Sequence, residues 1–181
     1  MERQVALWSR QYRASQTQQI EAMDRLIEWL PAGIPRSEDT AIFHGDVRLD
    51  NVLFDRTNLR PIALLDWELS TLGHPLADFA YHVIVWRLPN GLFRGLSDVD
   101  VAALGIPSEA DYVAAYCRRT GRPGIENWTY YLVYGLFRLA SILQGIAKRA
   151  ADGNASDVNA AVVGAKAKPI AEIAWSLASG R

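Results

Sequence analysis

Three side chains near one short loop carry the oxygen chemistry needed to hold a divalent cation and take a proton. Asp46 and Asn51 stand five residues apart in FHGDVRLDNVLFD (residues 43–55), and Asp66 closes the aliphatic run of IALLDW fifteen residues after Asn51. A carboxylate, a carboxamide and a second carboxylate at strand ends form the hard-oxygen set that suits Mg²⁺, which takes a few protein oxygens and completes its shell with phosphates and water. The same residue types also crowd into turns for backbone reasons, so spacing alone leaves a turn-forming role open. The histidines, His44, His74 and His82, show no H-E-x-x-H spacing, which sets zinc aside. Cys117 is the single cysteine, so an internal disulfide and an all-cysteine metal site are excluded, and its setting in DYVAAYCRR reads as a buried thiol.

The elements that must position these residues follow from periodicity. Residues 2–30 carry Trp8, Tyr12, Ile20, Met23, Leu26, Ile27 and Leu30 near helical spacing, which predicts one long helix ending at Pro31-Ala-Gly-Ile-Pro35. TAIFHG, NVLFD and RPIALLDW then read as two or three short strands, with the polar loop between the first two. From Pro75 onward the pattern is helical again: LADFAYHVIVWRL, SEADYVAAYCRRTG, a long helix over about 126–150, and two pieces divided by Pro169. The Gly- and Pro-rich connection 88–107 is long for a structureless loop, and with Trp86 it is expected to wall a pocket. Arg138 lies at the centre of the apolar window 129–147, which argues for a helix buried in protein rather than in lipid, with the arginine paired to an acid or a carbonyl.

Composition bounds the function. Half of the 181 residues are hydrophobic, 22% are charged and the net charge is -1, an ordinary globular balance. Basic and acidic residues are interspersed, so there is no electrostatic footprint for nucleic acid, and no membrane span is expected. The polar start MERQVALWSRQYRASQ lacks the apolar core of a signal peptide, giving a cytoplasmic expectation.

The order HGDVRLDN, then a strand, then DWE resembles the catalytic loop and metal-binding motif of the aminoglycoside phosphotransferase family, relatives of protein kinases, whose pattern runs H-G-D-x-x-x-x-N and then a hydrophobic strand ending in Asp. LLDWELSTLGHPLADFAYH and GIENWTYYLVYGLFRLASILQGIAKR look closer still to the kinase-like domain found with acyl-CoA dehydrogenases, a resemblance covering about residues 5–150. It implies an α+β, mainly α fold: a protein-kinase-like C-terminal lobe with a helical body and a small strand-and-loop catalytic insert. It further implies an ATP- and Mg²⁺-dependent kinase acting on a hydroxyl of a metabolite, such as a hydroxyacyl thioester, or of an aminoglycoside-like compound. Asp46 would match the catalytic base, and Asn51 and Asp66 the metal ligands. Arg48 and Glu68 stand where substrate or phosphate would be met; for Arg48 a surface salt bridge to Asp50 or Glu68 is the other reading. His44 and Asp78 would support the loop, and Asp78 reads equally as a helix-start carboxylate.

Neither a G-x-G-x-x-G loop nor a strand lysine of the nucleotide-holding kind occurs in the sequence. Residues 1–181 are therefore expected to be the catalytic lobe alone, with the N-terminal nucleotide-binding lobe absent. Alone it should be inactive and, through an exposed apolar face, prone to form a homodimer. A non-catalytic kinase-like binding or scaffolding module is the competing reading.

Overall fold

The computed structural model describes residues 1–37 and 39–180. Among the described residues eight α-helices accompany a small strand-and-loop region: α1 (Glu2–Ser15), α2 (Glu21–Ala32), α3 (Pro75–Val83), α4 (Asn90–Phe93), α5 (Glu109–Thr120), α6 (Trp128–Ala151), α7 (Ala160–Ala165) and α8 (Ala167–Ala178). Between α2 and α3 lie β1 (Ala41–Phe43), β2 (Val52–Phe54), β3 (Pro61–Leu64) and β4 (Thr71–Gly73). The central helix is α6, against which α8, α7, α3 and α1 pack. Its residues Tyr130 to Ser141 are buried without interruption, so the apolar window encloses a protein core. No helix among the described residues is long and apolar enough to cross a membrane.

The single helix expected over 2–30 is two. Ser15 ends α1, and the polar run that follows has no apolar face to bury; the amide of Gln144 on α6 donates to the Ser15 carbonyl at 3.1 Å and to Thr17 Oγ1 at 2.6 Å. A terminal carbonyl is thereby satisfied from outside the helix, which stabilises the break. Near the C-terminus the division falls at Lys166, between α7 and α8, rather than at Pro169, which sits in the first turn of α8 where no intrahelical N–H is required. Arg138 also departs from expectation. Its Nε and Nη1 are buried without a hydrogen-bond partner among the described residues, and the guanidinium instead lies over Tyr81 at 4.3 Å, Trp8 at 5.1 Å and Phe43 at 5.7 Å. Three ring faces supply the negative potential that an acid or a carbonyl is expected to supply.

The strands form two antiparallel pairs, β1 with β4 and β2 with β3. In the first, Ile42 faces Leu72 and Phe43 faces Thr71; in the second, Val52 faces Leu64, with an irregularity between Leu53 and Phe54. The turn between β2 and β3 is organised by Asp55, whose Oδ1 accepts from the N–H groups of Thr57 and Asn58. Phe43 is buried under β1, whereas Ile42 and Leu72 are exposed, so this ribbon is apolar on both faces. Its partner β4 went unread because a three-residue strand ending directly in His74-Pro75 leaves too short a run to show alternation. The 88–107 connection contains the single turn α4. Trp86 folds back to donate from Nε1 to the Pro107 carbonyl at 3.1 Å and stacks on Tyr112 at 5.0 Å.

Candidate active site

The loop from His44 to Asn51 is held from below by α3. His74 caps that helix through Nδ1, and Asp78 in its first turn accepts from the backbone N–H of His44 at 2.8 Å through Oδ2 and from that of Gly45 at 2.9 Å through Oδ1. One carboxylate thus satisfies two consecutive loop amides, a use beyond that of a helix-start charge. Gly45 is at φ 89°, and a Cβ there would meet the Leu69 carbonyl oxygen at 2.8 Å, so the turn that presents Asp46 admits only glycine. The ring of His44, itself buried, ties this loop to the next: Nδ1 accepts from the Asp46 N–H at 3.1 Å and Nε2 donates to the Leu65 carbonyl at 2.9 Å. The two bonds fix the tautomer, because a backbone N–H can only donate and a carbonyl can only accept.

The Asp46 carboxylate is divided in its duties. Its Oδ2 accepts from Asn51 Nδ2 at 3.0 Å and meets Arg48 Nε at 3.2 Å, while Oδ1 has no partner among the described residues. Asn51 is buried and its Nδ2 also donates to the Asp46 backbone carbonyl at 2.8 Å, so both amide hydrogens are spent and Oδ1 remains an uncommitted acceptor. Asp66 arrives beside this group through the backbone, since Leu65 N–H donates to the Asn51 carbonyl at 2.8 Å. Its φ of 66° is left-handed, and its carboxylate is exposed with no hydrogen bond or ion pair among the described residues.

Asp46, Arg48 and Asn51 are therefore in direct contact, and Asp66 is alongside without touching them. Arg48 also reaches Asp50 at 3.8 Å, and Asp50 is shared with Arg94 at 2.7 Å. Glu68 lies exposed in the turn Trp67–Leu69 and makes no ion pair with Arg48 among the described residues. Two residues of the site escaped sequence reading. His82 donates from Nδ1 to the Val47 carbonyl at 3.1 Å, and its Nε2 meets the Tyr112 hydroxyl at 3.0 Å. The i, i+4 relation of Asp78 and His82 was a visible signal that one helix face serves the loop; nothing local pointed to Tyr112.

A cavity of about 810 Å³ lies against the other face of α5, bounded by Arg87, Glu109, Val113, Cys117, Arg118 and Trp128 among others. Its lining includes neither Trp86 nor any residue of 88–107. Trp86 is instead committed to its Pro107 bond and its stack on Tyr112. Cys117 is buried, as its helical face predicts.

Residues 1–131 match the family model described as "Phosphotransferase enzyme family". The chain belongs to that family. Its mainly helical fold with a small strand insert agrees with that membership. The crystal structure of an aminoglycoside phosphotransferase-like protein from Ralstonia eutropha superposes with a TM-score of 0.93 at 50% identity, over 98% of this chain and 55% of that one. Acyl-CoA dehydrogenase family member 10 of Mus musculus is 46% identical over 179 residues, and family member 11 of Homo sapiens 37% identical over 177. This member of the phosphotransferase enzyme family spans 17% and 23% of the lengths of those two relatives.

Proposed function

We propose that this chain carries the acceptor-activating and metal-holding part of an ATP-dependent kinase for a small-molecule hydroxyl. The observation that carries the reading is the divided carboxylate of Asp46: Oδ2 is fixed by Asn51 and Arg48, and Oδ1 is free to accept a hydroxyl proton. In the reaction the acceptor oxygen bonds to the γ-phosphorus, the bond from phosphorus to the β,γ-bridging oxygen breaks, ADP leaves, and the hydroxyl proton passes to Asp46. The uncommitted oxygens of Asn51 and Asp66 fit Mg²⁺, which when bound neutralises phosphate charge and aligns the donor. Arg48, about half exposed, can turn from Asp46 and Asp50 toward a phosphate or an anionic acceptor. Glu68 lies two residues beyond Asp66 and has a free carboxylate for the substrate side.

The glycine-rich loop and lysine that cradle nucleotide phosphates are supplied from outside these 181 residues in this reading, seated over the exposed apolar ribbon of Ile42 and Leu72. Two copies meeting on that ribbon would give the homodimer. The relatives that bear the name acyl-CoA dehydrogenase favour a hydroxyacyl thioester as acceptor, and the solved neighbour an aminoglycoside-like one.

Two measurements test this reading. In an isotope-labelled sample of the chain, Mn²⁺ should broaden the Asn51 side-chain amide and the Asp66 backbone amide first, and Asp66→Ala should weaken that binding by about tenfold or more. Broadening centred elsewhere would dismiss the metal assignment. In a longer protein that joins this chain to a nucleotide-holding lobe, Mg²⁺-dependent loss of ATP with a phosphorylated hydroxyl product is expected on one of the two acceptor classes; metal binding without any transfer would favour the binding-module reading.

A further inference from the structure

We propose that His82 and Tyr112 are positioning residues that hold the catalytic loop on the far side of Asp46, completing a two-handed grip by α3; the inference rests on the kinase reading of that loop. Asp78 fixes the N–H groups of His44 and Gly45, just before Asp46. His82, one turn further along the same helix face, fixes the carbonyl of Val47, just after it. The backbone entering and leaving Asp46 is thus bonded to side chains four residues apart on one rigid element, which sets where Oδ1 points.

The hydrogen-bond roles are dictated by chemistry. A carbonyl oxygen can only accept, so Nδ1 of His82 carries the proton, and Nε2 keeps the lone pair that takes the Tyr112 O–H. Burial pushes the imidazole below its usual range, opposed by the Val47 bond and by Asp78, which is consistent with this neutral tautomer. Tyr112 cannot swing away easily. Its ring is stacked on Phe79 at 5.9 Å and on Trp86 at 5.0 Å, so its hydroxyl has one direction. The position of α5 is therefore passed through two hydrogen bonds to the peptide beside Asp46. Packing alone would be met by an apolar residue at 82; a ring with both nitrogens engaged is needed only if the carbonyl must be held.

The test compares two isosteres that each reproduce one nitrogen. Asparagine places its Nδ2 near the position of Nδ1, and glutamine places its amide near that of Nε2. His82→Asn should restore most of the activity in the longer protein, whereas His82→Gln and His82→Ala should lower kcat by about tenfold with the KM for ATP within about twofold. Tyr112→Phe should lower kcat by about threefold, because the Val47 bond survives but its donor loses orientation. Amide hydrogen exchange on the 181-residue chain provides a readout independent of turnover. The N–H groups of Gly45, Asp46 and Asn51 should exchange about tenfold faster in His82→Gln than in His82→Asn, with global unfolding matched between the two. Equal exchange in both variants would overturn the inference, as would equal kcat in an active enzyme. If the wild type transfers no phosphate at all, the kinase reading fails on its own and the exchange comparison still decides whether His82 holds the loop.

Discussion

Asp46→Asn should lower kcat by about 10² to 10⁴ in the longer protein while leaving the KM for ATP within a few-fold. The amide is nearly isosteric and can keep one contact with Asn51 or Arg48, so the loop should stay in place. What disappears is the proton acceptor. Oδ1 of the carboxylate has no partner among the described residues and can take a hydroxyl proton, whereas the backbone carbonyls of Asp46 and Val47 beside it are taken by Asn51 and His82. Steady-state kinetics against ATP and acceptor separate the outcomes. A variant with unchanged kcat would show that Asp46 does not take the proton; a variant with normal kcat and a large rise in the KM for ATP would move its role to the nucleotide. Thermal unfolding of both proteins shows whether the loss is chemical.

Asp78→Asn should be almost as damaging to stability as Asp78→Ala, each by about 3 kcal/mol. Asp78 accepts two backbone N–H groups with two different oxygens, at 2.8 and 2.9 Å. Alanine leaves both donors unsatisfied beside a buried histidine. Asparagine keeps one acceptor but turns an NH₂ toward the other N–H, placing donor against donor. Each lost charge-assisted bond in a part-buried site is worth about 1.5 kcal/mol or more, which sets the estimate. Chemical denaturation of the 181-residue chain measures it. Stability of Asp78→Asn within about 0.5 kcal/mol of wild type would mean that the two N–H bonds contribute little.

What could be read in the sequence was what is local. The interval from Asp46 to Asn51, the strand before Asp66 and the helical periodicity of the rest are chain-neighbour facts, and the loop, the insert and most helices followed from them. The break at Ser15 was not legible because its cause, Gln144, lies about 130 positions away on α6. Arg138 misled for a related reason: a buried cation demands a partner, but sequence does not show that three rings from α1, β1 and α3 converge on it. Asp78 showed itself as an acid at a helix start, though the two loop amides it holds could be seen only once β1 and α3 were docked. Tyr112 is invisible for the same reason, since it meets His82 across an interface between α3 and α5.

The left-handed backbone of Asp66 sets fold and chemistry against each other under selection. Side chains in that conformation cost roughly 1–2 kcal/mol, aspartate less than most, and glycine avoids the penalty. No neighbour among the described residues holds this carboxylate, so replacing it with glycine removes no contact. A lineage or library selected only for thermal robustness would drift toward glycine at this position, and one required to handle metal and phosphate would be held at aspartate. The occupant of position 66 among variants therefore reports which demand has been in force.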